Sequence, residues 1–304
     1  MQRLLTIAEN IASSRASVLI TGESGTGKEL FARYIHTRSH RAARAFVAIN
    51  CAAVPENLLE SELFGYEKGA FTGADHRKPG KFELANNSTF LLDEVTEISL
   101  NLQAKLLRVI QEGEVERLGG NAPIKVNVRL IATSNRDLTA EMKQGRFRDD
   151  LFYRLNVIPL RIPPLRERKM DIEILAHHFL DLACEENGLQ HKTMGETALA
   201  KLRSWPWPGN VRELKNVVER SALLQPALLL AAEDILLADH RPEVQPVESG
   251  LQAGMTVDEA EKLLILKTLE HTGQNRTRAA KMLGLSVRTL RNKLHTYGVM
   301  GDHL

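Results

Sequence analysis

The chain has 304 residues, 43% of them hydrophobic and 26% charged, the make-up of a folded protein of about two domains. Those proportions exclude a largely disordered chain, a collagen-like repeat and a disulfide-stapled miniprotein. Forty basic and 38 acidic residues leave a net charge of +2, which by itself implies no partner.

Cys51 and Cys184 stand too far apart for a Cys/His metal cluster and suit a reducing compartment. No apolar run approaches the ~20 residues of a bilayer-spanning helix. Met1–Ser17 reads as an amphipathic helix carrying Glu9, not as a signal peptide, so a cytoplasmic protein is expected. Beyond it, Ser17–Thr21, Phe46–Asn50, Thr89–Asp93 and Val126–Thr133 read as buried strands. Helical spacing falls near Lys28–Thr37, Leu100–Glu112 and Leu138–Gln144. Strands alternating with helices predict a parallel sheet covered by helices on both faces. From Pro164 the pattern turns helical, over Met170–Glu186, Thr193–Arg203 and Asn210–Leu224, with Trp205–Asn210 as a stiff turn. Ala238–Gly254, with its prolines and glycines, has linker composition. A periodic helix over Val257–Leu269 and two shorter helices follow.

Gly22-Glu23-Ser24-Gly25-Thr26-Gly27-Lys28 lies between a predicted strand and a predicted helix, the setting of a phosphate-binding loop. Glycines let backbone N–H groups face phosphate oxygens, and the helix N-terminus adds partial positive charge. Lys28 is placed to reach the β- and γ-phosphates. Glu29 follows, where Ser or Thr usually helps hold Mg²⁺, so a carboxylate is needed elsewhere. The apolar strand Phe90–Leu92 supplies two, Asp93 to hold Mg²⁺ and Glu94 to polarise a water as general base. These residues predict an NTPase.

Glu62-Leu63-Phe64-Gly65, followed by Gly69-Ala70-Phe71-Thr72-Gly73-Ala74, is a far more specific signal. With the phosphate loop it resembles the bacterial sigma-54-dependent transcriptional activators, a branch of the AAA+ ATPases, over all of the chain but the linker. The resemblance implies an α/β AAA+ subdomain (1–164), a helical lid (165–237), a linker (238–254) and a Fis-type helix-turn-helix domain (255–304). It assigns Gly69–Ala74, with Phe71 and Thr72 at its tip, to contact with sigma-54, and places Glu116 and Arg117 in a second such loop. Asn50 matches a switch residue that restrains the catalytic Glu94, while Ser134 and Asn135 match the sensor after the fourth strand. Arg148 and Arg154 match arginines that reach a neighbouring subunit's ATP, and Arg212 matches the sensor arginine of the lid. Active sites shared in this way imply a homo-oligomeric ring of six or seven subunits.

Between Gly273 and Val299 the sequence carries six basic side chains (Arg276, Arg278, Lys281, Arg288, Arg291, Lys293) and no acidic one. Thr277–Leu283 and Ser286–Tyr297 read as helices joined at Gly284, a helix-turn-helix pattern. Ser286 is the expected N-cap, with Ala279, Ala280 and Leu283 packing on Val287, Leu290 and Leu294. Arg276, Thr277, Arg278, Ser286, Arg288, Thr289, Arg291, Asn292 and Lys293 are the expected contacts to double-stranded DNA. Dimer contacts from Val257–Leu269 imply a palindromic upstream site.

The expected protein therefore binds DNA, assembles a ring and hydrolyses ATP with Mg²⁺ to remodel the closed sigma-54 RNA polymerase–promoter complex, without a regulatory domain of its own. Because the chain starts close to the first strand, an incomplete adenine pocket is also expected. The alternatives are an AAA+ motor acting on DNA in replication or helicase loading, and a DNA-binding regulator whose ATPase domain is only an assembly platform.

Overall fold

A computed structural model describes residues 1–237, 256–273 and 275–297. The chain divides into two compact units, residues 1–237 and 238–304. The linker expected at 238–254 lies outside the described residues.

The first unit opens with helix α1 (Gln2–Ala12), strand β1 (Val18–Thr21), helix α2 (Lys28–Thr37) and strand β2 (Phe46–Asn50). Helix α3 (Glu56–Phe64) leads into a short antiparallel pair, β3 (Gly65–Tyr66) and β4 (Lys78–Pro79), followed by α4 (Lys81–Leu84). Strand β5 (Thr89–Asp93) and helix α5 (Leu100–Glu112) precede a second antiparallel pair, β6 (Glu114–Val115) with β7 (Ile124–Lys125). Strand β8 (Arg129–Ser134), helices α6 (Leu138–Lys143) and α7 (Asp149–Leu155), and strand β9 (Ile158–Arg161) complete this part.

The main sheet has the order β2-β5-β8-β1-β9, every pairing parallel. Strands β5, β8 and β1 are interior, and each is mostly apolar or small on both faces and buried almost throughout. Alternation sends neighbouring residues to opposite sides. Leu92, Leu130 and Leu19 pack with Leu106 and Leu151, whereas Leu91, Ile131 and Ile20 pack with Phe31 and Ile35. Parallel pairing also gathers all the strand C-termini on one edge, where Asn50 is in register with Asp93 and Thr21 with Ser134.

Three sequence expectations change here. Strand β8 begins at Arg129 rather than Val126. The predicted helix Thr193–Arg203 starts at Glu196, because Thr193 and Met194 form a short strand. Strand β9 was not expected: Pro159 within Ile-Pro-Leu-Arg argues against a strand, but β9 is a sheet edge, where proline is tolerated.

Helices α8 (Met170–Glu186), α9 (Glu196–Ser204) and α10 (Asn210–Leu224) form the rest of the first unit, with strands β10 (Thr193–Met194) and β11 (Leu229–Leu230) paired in parallel. Their separate core closes around Trp207, which is fully buried and donates its indole N–H to Leu202 O at 2.8 Å.

In the second unit, α11 (Val257–His271), α12 (Arg276–Met282) and α13 (Val287–Thr296) bury Ile265, Leu269, Ala279, Ala280, Leu290 and Leu294. The turn between α12 and α13 passes through Gly284 at φ +67°. Ser286 Oγ accepts from Thr289 N–H at 3.1 Å, the expected cap.

Candidate active site

The Gly22–Lys28 loop rises from the end of β1 and opens α2. Gly27 sits at φ +97°, and a Cβ there would meet nothing within 4 Å, so the loop faces open space on this side. No side chain caps the N-terminus of α2, which leaves its first N–H groups to an anion. That uncapped terminus fits the phosphates of a nucleotide.

Lys28 is buried and folds back on the loop, donating to Gly22 O at 2.9 Å and to Glu23 O at 3.3 Å. Its Nζ also lies 3.4 Å from Glu94 Oε1. Thr26 braces the loop by donating its hydroxyl to Glu23 O at 2.8 Å. Glu29 follows Lys28 in the first turn of α2. Its carboxylate pairs with Arg33 at 2.8 Å, one turn along the exposed face of α2.

Asp93 and Glu94 reach the same edge from β5. Asp93 Oδ1 accepts from Thr133 Oγ1 at 2.5 Å, and Oδ2 accepts from Asn50 Nδ2 at 2.8 Å. Asn50 thus bonds Asp93 here, whereas the resemblance pairs it with Glu94. The register pairs Asn50 with Asp93 on adjacent strands, whereas Glu94 leaves the strand in the left-handed region at φ +56°. That turn carries the Glu94 carboxylate to the β8 side, where Oε2 accepts the Asn135 N–H at 2.9 Å. Ser134 is fully buried and shapes the turn through Arg136. Asp93 and Glu94 are the carboxylates that fit a divalent cation beside the loop.

The helical part closes over the same loop. Val211 and Arg212 donate their N–H groups to Gly25 O at 3.0 and 3.3 Å. The Arg212 side chain reaches Ser24 Oγ at 3.2 Å. Two partners of this contact were not foreseen. Asn210, fully buried at φ +52°, accepts from Leu165 N–H and donates to Glu23 Oε2 and Ser24 O. Arg166 grips Glu23 with two bonds of 2.8 and 2.5 Å, and this guanidinium lowers the Glu23 carboxyl to about 2. The turn-like Trp-Pro-Trp-Pro-Gly-Asn run was the available signal for Asn210. Arg166 gave none.

Arg148 stands at the N-terminus of α7 and Arg154 in its last turn. Arg148 is paired with Asp150 at 2.7 Å, while Arg154 is exposed and makes no ion pair among the described residues.

Gly69–Ala74 forms the tip between β3 and β4. Gly69 N–H donates to Ala74 O at 2.8 Å, closing the tip. Phe71 is 44% exposed and meets the Tyr66 ring edge-on at 5.0 Å. Ala70, Thr72 and Gly73 share the tip, and only Ala74 is buried. Glu116 is half exposed and pairs with Arg108 at 3.2 Å. Arg117 turns inward. It is 12% exposed and bonds Glu83 at 2.5 Å and Glu67 at 2.7 Å, so it ties its loop to the base of the tip.

In the second unit Arg276, Thr277, Arg278, Ser286, Arg288, Arg291 and Asn292 are exposed, and Thr289 is half-buried. Lys293 departs from the expected DNA face, since Glu261 of α11 holds it at 2.6 Å. Among the described residues no helix is long and apolar enough to cross a membrane.

A parallel sheet, an open phosphate loop, paired carboxylates at the neighbouring strand end and a helical lid on that loop define an AAA+ ATPase. Comparison with known proteins agrees. Residues 1–161 match the family described as sigma-54 interaction domain, 166–248 the AAA+ ATPase lid domain, and 256–297 the bacterial regulatory protein, Fis family. The transcriptional regulatory protein FlbD of Caulobacter vibrioides is 50% identical over 99% of this chain and 69% of its own length. The regulatory protein AtoC of Escherichia coli is 52% identical over 95% of this chain and 64% of its own. NtrX of Brucella abortus, crystallised with ATP, superposes with a TM-score of 0.73 at 35% identity, covering 98% of this chain and 68% of that one. The chain belongs to the sigma-54-dependent transcriptional activators. These matches leave an AAA+ motor of replication or helicase loading without support.

Proposed function

We propose that this chain hydrolyses ATP as a ring and uses the Gly69–Ala74 tip to remodel the sigma-54 RNA polymerase–promoter complex in the cytoplasm. The observation that carries this reading is the exposed Phe71 on a glycine-flanked tip in a phosphate-loop ATPase. Phe71 is 44% exposed at this tip, where a partner surface can cover it.

In this reading Lys28, the α2 N-terminus and the Gly22–Gly27 N–H groups hold the phosphates. Asp93 holds Mg²⁺, which supplies positive charge to the phosphates. Glu94 accepts the proton of the attacking water. Asn50 and Thr133 orient Asp93, while Lys28 and the Asn135 N–H keep Glu94 parked until phosphate draws Lys28 away. Arg148 and Arg154 of a neighbouring copy stabilise charge developing on the γ-phosphate, and Arg148 must first leave Asp150. Arg212 and Ser24 report lid closure. The Arg276–Arg278 and Ser286–Asn292 segments bind an upstream, palindromic duplex, as dimers through α11.

The test is a single reaction containing sigma-54 holoenzyme on a premelted promoter. Adding the chain with ATP should convert the closed complex, and adding it with ADP should not. Conversion that ignores the nucleotide would defeat the proposal.

A further inference from the structure

The sheet has a second polar end, opposite the nucleotide loop, where β5 and β8 begin. Strand β8 spans six residues, about 20 Å at ~3.3 Å per residue, so this end is well separated from Lys28. A cavity of about 210 Å³ opens there between the end of α1, the loop after α2 and the residues leading into β5 and β8. Arg15, His40, Arg41 and Arg129 line it, and no carboxylate does.

Arg129 is 1% exposed. Its Nη1 donates to Ala12 O and its Nη2 to Ile11 O at 2.7 Å, but its Nε–H has no partner among the described residues. Arg41 donates to Ser88 O, and to Asn127 O and Oδ1 at 3.0 and 2.8 Å. Every one of these acceptors is neutral, so the hydrogen bonds are largely made while the charges stay unmatched. The C-terminus of α1 contributes roughly half a negative charge, against three guanidiniums. Titration reflects the imbalance. Burial, and then Arg41, bring Arg129 down to about 10, and burial with Arg15 lowers Arg41. The buried His36 nearby is lowered as well, by burial and in part by Arg129.

We propose that this cavity is a binding site for a phosphate-sized oxyanion, held by Arg15, Arg41 and Arg129 as the missing counter-charge of the cluster. Its volume lies below the ~300–1,000 Å³ of pockets for larger ligands. It therefore takes free phosphate or the phosphoryl end of a small ester, and a nucleotide is too large. Guanidinium–oxyanion hydrogen bonding suits the exposed Arg15 and the half-buried Arg41, and the buried Arg129 supplies field. Occupancy removes like-charge repulsion, so the anion stabilises the fold as it binds.

The test is calorimetric titration of inorganic phosphate into the full chain at constant ionic strength, with ADP saturating the nucleotide loop. One phosphate per chain is expected, with a rise in Tm that equal ionic strength of chloride does not give. Arg15→Gln, at an exposed position, should weaken binding about tenfold while ADP affinity holds. Lys28→Ala should lose ADP and keep this phosphate. Glycerol phosphate in a parallel titration separates the two ligand sources: binding as tight as phosphate's points to small esters, and absent binding to the free ion. No phosphate uptake by the ADP-filled chain, or uptake unchanged in both Arg15→Gln and Arg41→Gln, would overturn the proposal.

Discussion

Single side chains decide what this active site does, and Glu94 is the sharpest case. A non-glycine residue at φ +56° is conformationally costly, yet that turn separates Glu94 from Asp93 and gives the two carboxylates different partners. Replacing Glu94 by Gln should leave ATP binding intact and lower turnover about 10²–10⁴-fold, measured by phosphate release beside nucleotide affinity. Glu23 makes a second prediction, because Arg166 and Asn210 hold its carboxyl at about 2 against an ordinary 4.5. A lowered folded-state value gives stability that is complete above about pH 4.5 and drains away as pH falls toward 2. The Tm difference between the wild type and Glu23→Gln should therefore be flat from pH 7 to about 5 and shrink below that. That Lys28, Asp93 and Glu94 meet at one sheet edge was legible in the sequence, because a strand end and a glycine loop bring them there. The partners of Asn50, Glu29, Arg117 and Lys293 were not. Register, a helical turn and folded-over loops choose those partners, and spacing along the chain does not record them.

At the scale of elements, the contact between the phosphate loop and the start of α10 joins the two cores of the first unit. Gly25 O takes two N–H groups from α10, and a Cβ on Gly25 would lie 2.3 Å from Gly209 O. Gly25→Ala should therefore open this contact and raise the nucleotide Kd, whereas the second unit should keep its own melting. Asn210→Ala leaves the buried Leu165 N–H without an acceptor and should cost about 1–3 kcal/mol. Trp207→Ala empties the lid core and should cost about 3–5 kcal/mol, both measured by urea unfolding. Most helices and three of the five sheet strands stood where periodicity placed them. Strand β9 escaped because proline is a poor strand residue everywhere except at an edge, and edge status belongs to the folded sheet. Thr193–Met194 escaped for a related reason: its pairing partner lies at Leu229–Leu230, far along the chain.

For the whole molecule, the proposed ring makes activity a property of assembly. Arg148 stands at the N-terminus of α7 and Arg154 in its last turn, where Arg154 is exposed with no ion-pair partner among the described residues. Turnover per subunit should accordingly rise with protein concentration, and Arg154→Ala should remain slow at every concentration. The central claim is that hydrolysis drives the Gly69–Ala74 tip against sigma-54. The measurement that reaches it most directly compares the wild type with Thr72→Ala, reading ATP turnover and sigma-54 complex remodelling in the same tube. The account predicts that Thr72→Ala hydrolyses ATP and leaves the complex closed. A Thr72→Ala chain that remodels as well as the wild type, or a wild type that hydrolyses ATP without touching the complex, would contradict it.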